Sequence, residues 1–216
     1  MGDPSLLVEI NDSAAVIRLN RPAQRNSLSV STLQELSTIL EGLLSSPDIQ
    51  AIVITGTGDV FASGADITEL VALDPDAAHE FSQVGQKTFQ KIADARQVTI
   101  AAVNGYCMGG GLDLALACDI RVASKDAVLS HPGAKRGIIT GWGGTQRLAR
   151  LVGKPRALDM FLTARLVRSE EALQIGLVSR IGDPVLPHAL ELAQTLTQKK
   201  CGAGLQPAPL NKSRFP

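Results

Sequence analysis

Ile100-Ala-Ala-Val-Asn-Gly-Tyr-Cys-Met-Gly-Gly-Gly-Leu-Asp-Leu-Ala-Leu-Ala-Cys-Asp119 reads as a buried β run, a glycine turn and a helix that opens on three glycines. A strand that enters a helix through Gly109, Gly110 and Gly111 leaves backbone N–H groups without intrahelical partners, and no Cβ shields them. Such a terminus favours negative charge. A phosphate could use it, and so could an oxyanion that develops during a reaction.

Working outward, the pattern alternates strand and helix. Leu6–Ile10 and Ala14–Asn20 flank Asn11-Asp12-Ser13 as a β-hairpin. Ser31 is read as the cap of a helix with Leu33, Leu36, Leu40, Leu43 and Leu44 on one face. The continuous apolar runs Ala51–Thr55 and Val98–Val103 fit strands covered on both faces. Gly56–Gly64 reads as turn, Asp74-Pro75-Asp76 as a break, and Phe81, Val84, Gly85, Thr88, Phe89 and Ile92 recur at helical spacing. Beyond the opening stretch come strands at Asp119–Ala123, Ala127–Ser130 and Leu177–Ile181, with helices over Trp142–Val152, Pro155–Leu162, Ser169–Gly176 and Pro187–Lys199. This is an α/β protein with crossover connections. Residues 1–200 form one folded core, and residues 201–216, broken by Gly202, Gly204, Pro207, Pro209 and Pro216, read as an irregular tail.

The chain has 216 residues, with 21 basic and 21 acidic side chains and only 3% aromatics. Balanced charge gives no field for nucleic acid or an anionic membrane, and few rings are available for base stacking. Cys107, Cys118 and Cys201 lack metal-site spacing, and the first two lie in apolar runs as core residues. No signal peptide, transit segment or membrane-length apolar run is visible, so a cytoplasmic location is expected.

A second stretch, Phe61-Ala-Ser-Gly-Ala-Asp-Ile67, also places glycine beside exposed backbone before a helical pattern. Neither Gly-x-Gly-x-x-Gly nor a phosphate-loop Gly-Lys-Ser/Thr occurs, which weakens the dinucleotide reading. Taken together, the two stretches resemble the enoyl-CoA hydratase/isomerase (crotonase) superfamily. Gly141-Trp-Gly-Gly-Thr-Gln-Arg-Leu-x-Arg-Leu-Val-Gly153 and Ala172-Leu-x-Ile-Gly-Leu-Val178 extend the resemblance, which covers roughly residues 5–195.

The resemblance implies a spiral of stacked ββα units, assembly as a trimer or hexamer, and an acyl-CoA thioester substrate with no other cofactor and no metal. It implies that the N–H groups of Ala65 and Gly110 form an oxyanion hole, each donor worth roughly 3–4 kcal/mol in comparable sites. It also implies that Ser63, Asp66 and Ile67 lie along the adenine end of coenzyme A, and Gln24 and Arg25 along its pantetheine and phosphates. The glycine turn is then a site for an oxyanion.

The sequence departs from the family pattern at both acids. Hydratases of the family use two glutamates. The first falls at Asp113, which keeps the carboxylate but draws it back by roughly 1.5 Å where proton transfer needs about 2.6–3.2 Å. The second falls at Gly133, which offers no side chain. Dienoyl-CoA isomerases resemble the chain at Asp113, but their further acids fall at Gly133 and Gly141. Monocarboxylate isomerases keep the acid at the Gly133 position, whereas naphthoate synthases have glycine there and recruit bicarbonate.

A substitute base could come from His131, which shares a face with Gly133 if residues 129–132 are extended, or from Asp74 or Asp76. An acyl-CoA-binding protein with impaired or no hydratase activity is one competing expectation, and a crotonase-type isomerase or decarboxylase using Asp113 or a recruited base is another. Trp142 is read as filling space in a glycine-rich bend, or as a wall of the substrate site. Asp119 is read as structural, and Arg136, Arg147 and Arg150 as a solvated face. Relatives of this family continue past this point with interface helices, so the tail predicts weaker subunit association or a more open coenzyme A site.

Overall fold

The computed structural model describes residues 4–198. The tail expectation for residues 201–216 lies outside the described residues, as does Cys201. In chain order the elements begin with β1 (Leu6–Asn11), β2 (Ala14–Leu19), α1 (Val30–Ser45), β3 (Ala51–Gly56), β4 (Val60–Ala62), α2 (Ile67–Val71) and α3 (Pro75–Ala93). Next come β5 (Val98–Val103), β6 (Tyr106–Met108), α4 (Gly110–Ala117), β7 (Ile120–Ala123) and β8 (Val128–Ser130). The chain continues through α5 (Gly144–Val152), α6 (Lys154–Thr163), β9 (Val167–Arg168), α7 (Ser169–Gln174), β10 (Arg180–Ile181) and α8 (Val185–Gln198).

Two sheets result. The larger runs β1-β2-β3-β5-β7-β10 and the smaller β4-β6-β8-β9. Successive strand pairs β3/β4, β5/β6 and β7/β8 each give one strand to each sheet before the chain turns into helix, which is the expected spiral of ββα units. The β1–β2 hairpin is antiparallel, and β2, β3, β5, β7 and β10 are parallel neighbours.

Strand alternation divides the interior in two. Ala15, Ile17 and Leu19 of β2 and Ile52 and Ile54 of β3 face the main core with the α1 leucines and Phe89, whereas Ala14, Val16, Ala51 and Val53 face the opposite side. There α8 covers them with Val185, Ala189, Leu192 and Ala193. This explains why β3 carries no polar side chain along its first four residues: both of its faces are buried.

Several boundaries differ from those read in the sequence. The cap of α1 is Ser29, whose Oγ accepts the Thr32 N–H at 3.1 Å, so Ser31 lies inside the helix. Asp74-Pro75 starts α3 instead of breaking a pattern: the Asp74 carboxylate accepts the Ala77 N–H at 2.8 Å and Pro75 sits at the first turn, where its missing N–H is harmless. Of Leu177–Ile181 only Arg180–Ile181 pairs as a strand. The strands β4, β6 and β9 fall where the sequence suggested turn or connection. No helix among the described residues is long and apolar enough to cross a membrane.

Candidate functional site

The smaller sheet assembles the site. Because β4 and β6 are parallel neighbours, with Ala62 opposite Cys107, the segments leaving their C-terminal ends emerge side by side. One is Ser63-Gly64-Ala65-Asp66 and the other is Gly109-Gly110. Gly109 turns β6 into α4 at φ 53°, ψ −119°, a conformation that glycine alone adopts freely, and its N–H donates to the Ser130 carbonyl at 2.9 Å. A Cβ on Gly64 would lie 3.1 Å from the Gly110 nitrogen, so the two segments touch through backbone. Among the described residues, neither the Ala65 N–H nor the Gly110 N–H donates to another group.

The loop that carries Gln24 and Arg25 is tied to the same segment. The Ser63 N–H donates to the Arg25 carbonyl at 3.1 Å, the Leu28 N–H to Gly64 at 2.8 Å, and the Asp66 N–H to Leu28 at 3.3 Å. Arg25 and Asn26 both adopt positive φ, and the Asn26 side chain holds that turn by donating to the Val60 and Thr57 carbonyls while accepting the Arg21 N–H. Gln24, Arg25 and Ile67 are exposed, and the Arg25 guanidinium lies over the Tyr106 ring. Asp66 caps α2 by accepting the Thr68 N–H, and the Thr68 hydroxyl, which donates to the same carboxylate at 2.7 Å, holds its carboxyl below the usual carboxylate range. Gln24, Arg25, Ser63, Ala65, Asp66, Ile67 and Gly110 therefore gather on one rim.

Asp113 lies one turn into α4 from Gly110, with its carboxyl fully buried. The Thr140 hydroxyl donates to Oδ2, while Oδ1 lies against the Cα of Gly144, where a Cβ would collide with it. Desolvation pushes the Asp113 carboxyl up to about 7, against the opposing pull of Thr140, Arg147 and the Trp142 backbone. His131 Nε2 stands 3.3 Å from Oδ1 without an aligned hydrogen bond, and neither atom has another partner among the described residues. Burial lowers the His131 imidazole to about 4. Between about pH 4 and 7 the pair is therefore mainly a carboxylic acid facing a neutral imidazole.

The route by which His131 arrives differs from the extended one expected. Strand β8 ends at Ser130, and Pro132–Arg136 forms a 3₁₀ turn with His131 at its start. His131 turns inward against Phe161, with ring centroids 4.7 Å apart. Gly133 lies in that turn, and a Cβ there would sit 2.5 Å from the Ile138 carbonyl oxygen. The position therefore lacks not only a carboxylate but also the room for one.

Asp74 is exposed and committed to its helix cap, and Asp76 is exposed beside it. The Asp119 carboxylate accepts from the Thr99 N–H and hydroxyl, which is a structural role. Cys107 and Cys118 are buried, and the Cys118 thiol donates to the Leu114 carbonyl at 3.6 Å. Arg136 and Arg150 are exposed, but Arg147 is half-buried and donates to the Trp142 carbonyl and to Gln90. Among the described residues no group of three or more His, Cys, Asp or Glu side chains is arranged to hold a metal ion.

Thr140 and Gly144 belong to this constellation; the sequence singles out Gly144 only as part of the Gly141–Gly153 stretch and Thr140 not at all. The only signal was the run Thr140-Gly-Trp-Gly-Gly144, whose glycines allow close packing.

The family described as enoyl-CoA hydratase/isomerase matches residues 9–204 of the chain. A crotonyl-CoA hydratase of Syntrophomonas wolfei is 38% identical over 202 residues, spanning 92% of this chain and 78% of that protein. A short-chain-enoyl-CoA hydratase of Clostridium acetobutylicum is 37% identical over 181 residues, 83% of this chain and 69% of that one. Among solved structures, DspI of Pseudomonas aeruginosa superposes with a TM-score of 0.87 at 38% identity, covering 90% of this chain and 80% of its own.

Proposed function

The chain belongs to the enoyl-CoA hydratase/isomerase family, and on that premise we propose that it holds an acyl-CoA thioester with its carbonyl oxygen between the Ala65 and Gly110 N–H groups. In this reading coenzyme A is part of the substrate and lies along Gln24, Arg25, Ser63, Asp66 and Ile67. The observation that carries it is Asp113: a buried carboxyl at about 7, one helix turn from a free N–H donor, exists in both protonation states at neutral pH. As the carboxylate it takes a proton from the carbon next to the thioester carbonyl. The electron pair moves onto the carbonyl oxygen, and the two donors stabilise the resulting enolate.

One acid suffices to shift a double bond, because the proton taken at one carbon is returned at another. Hydration needs a further group to direct water, and Gly133 has no room for it beside the Ile138 carbonyl. The geometry therefore favours isomerisation of an enoyl-CoA over a two-carboxylate hydration, although the hydratase relatives support hydration. The reading requires substrate to displace the Thr140 hydroxyl from Asp113.

The test is turnover of 3-enoyl-CoA and crotonyl-CoA by the wild type and by Asp113→Ala. Isomerisation lost in Asp113→Ala supports the reading, and activity unchanged by that substitution removes Asp113 from the chemistry. Tight binding of both esters with turnover of neither favours the second reading, an acyl-CoA-binding protein without catalysis, for which the crowding at Gly133 is the specific support.

A further inference from the structure

Trp142 is buried, and it occupies a slot that two helices are built to admit. One end of the indole lies over Gly85 in the middle of α3, where a Cβ would come within 2.6 Å of Cε2. The other end lies over Gly110, the first residue of α4, where a Cβ would sit 2.6 Å from Cε3. Phe81 and Phe89, one turn before and one turn after Gly85 on the same face of α3, hold the ring at centroid distances of 5.2 and 5.5 Å. The bend is fastened to α3 as well, since the Gly141 carbonyl accepts from the Ser82 hydroxyl at 3.0 Å and from the Gln86 amide at 2.7 Å. A ring gripped at both edges and tethered through its own backbone is a fixed wall.

Its position matters. The point where a Gly110 Cβ would lie is 3.3 Å from the Ala65 nitrogen as well as touching the indole. The ring edge therefore stands beside both N–H donors.

We propose that the Trp142 indole is the end wall of the acyl pocket and confines the substrate to short acyl chains. The proposal rests on the reading of Ala65 and Gly110 as the carbonyl donors. It goes further by assigning chain-length selection to one side chain.

In an open apolar pocket, affinity rises roughly fourfold with each added methylene until the pocket is full. A wall at Trp142 ends that rise early. Trp142 is the single tryptophan of the chain, so its emission reports contact directly. Emission is titrated with coenzyme A, acetyl-CoA, butyryl-CoA, octanoyl-CoA and decanoyl-CoA, and affinities are measured in parallel by calorimetry.

The expected result is that butyryl-CoA shifts the emission and binds more tightly than coenzyme A, while decanoyl-CoA gains less than threefold over butyryl-CoA or binds more weakly. Trp142→Phe, which keeps an aromatic ring against Phe81 and Phe89, should raise the decanoyl-to-butyryl affinity ratio at least tenfold, and Trp142→Ala further still. If Trp142→Ala does not fold, the wild-type series and Trp142→Phe decide the question by themselves. A steady fourfold rise per methylene through decanoyl-CoA in the wild type, an emission unmoved by butyryl-CoA, or an unchanged ratio in Trp142→Phe overturns the wall alone. Failure of every ester and of coenzyme A itself to bind overturns the acyl-CoA reading, and the wall with it.

Discussion

Asp113 Oδ1 and His131 Nε2 face each other across 3.3 Å inside the protein, each without any other hydrogen-bond partner among the described residues. Burial moves the two groups in opposite directions, the carboxyl up to about 7 and the imidazole down to about 4. Near pH 5.5 the unfolded chain has an ionised Asp113 and a protonated His131, whereas the folded chain keeps its proton on Asp113. The number of protons is the same, so the two contributions to the pH dependence of stability cancel between about pH 4 and 6.5.

Single substitutions should uncover each half. The raised Asp113 carboxyl contributes stability that is complete below its unfolded value of 3.8 and is lost as pH climbs toward 7. The lowered His131 imidazole contributes stability that is complete above 6.5 and is lost as pH falls toward 4. Asp113→Asn should therefore grow more stable from pH 4.5 to 6.5, and His131→Gln less stable over the same range, each by at most about 1.4 kcal/mol per pH unit. Urea unfolding at three pH values measures both slopes. Two variants with profiles parallel to the wild type would show that the pair is not linked in this way.

Activity should rise with pH, because Asp113 must be a carboxylate to take a proton. The kcat/KM profile for a 3-enoyl-CoA is expected to have its acid limb near pH 7. The Thr140 hydroxyl stabilises the carboxylate by donating to Oδ2, so Thr140→Val should move that limb to higher pH. Asp113→Asn should lower the rate by about 10²–10⁴-fold. An acid limb that stays in place in Thr140→Val would detach Thr140 from the proton transfer.

Restoring a glutamate at position 133 should fail. The Ile138 carbonyl lies 2.5 Å from where a Cβ would be, so even Gly133→Ala is overpacked and should cost about 1–3 kcal/mol. Gly133→Glu should lose stability without gaining crotonyl-CoA hydration. A gain of hydratase activity at unchanged stability would show that the 3₁₀ turn yields readily.

Gly85→Ala separates two opposing effects. Alanine in a helix interior is favoured over glycine by about 1 kcal/mol, whereas crowding a packed core costs about 1–3 kcal/mol. With three indole atoms, Cδ1, Nε1 and Cε2, inside contact distance of the new Cβ, crowding should win. Net destabilisation in urea, with a shifted Trp142 emission, is the expected outcome, and net stabilisation would mean that the ring moves aside at little cost.

Much of the fold was readable because its main strands are continuous apolar runs. Ala51–Thr55 and Val98–Val103 sit between two packed layers and advertise it in nearly every side chain. The smaller sheet was not readable, since strands of two or three residues such as Val167-Arg168 leave no period to detect. At the site, the two glycine segments were legible as motifs, but the Asp113–His131 contact depends on the 3₁₀ turn at Pro132–Arg136, which redirects His131 inward. The Trp142 slot left one clue. A glycine interrupting the buried face of α3 between Phe81 and Phe89 makes sense only once something large is known to lie upon it.

The side-by-side ladder of β4 and β6 has a consequence for how this architecture can change. Ala65 and Gly110 are far apart along the chain, with all of α2, α3 and β5 between them, yet their separation in space follows from one backbone pairing whose neighbours stand about 4.8 Å apart. Insertions or deletions near α2 therefore leave the spacing of the two donors intact so long as β4 and β6 stay paired. The intervening chain is free to diversify while the donors' spacing is inherited unchanged.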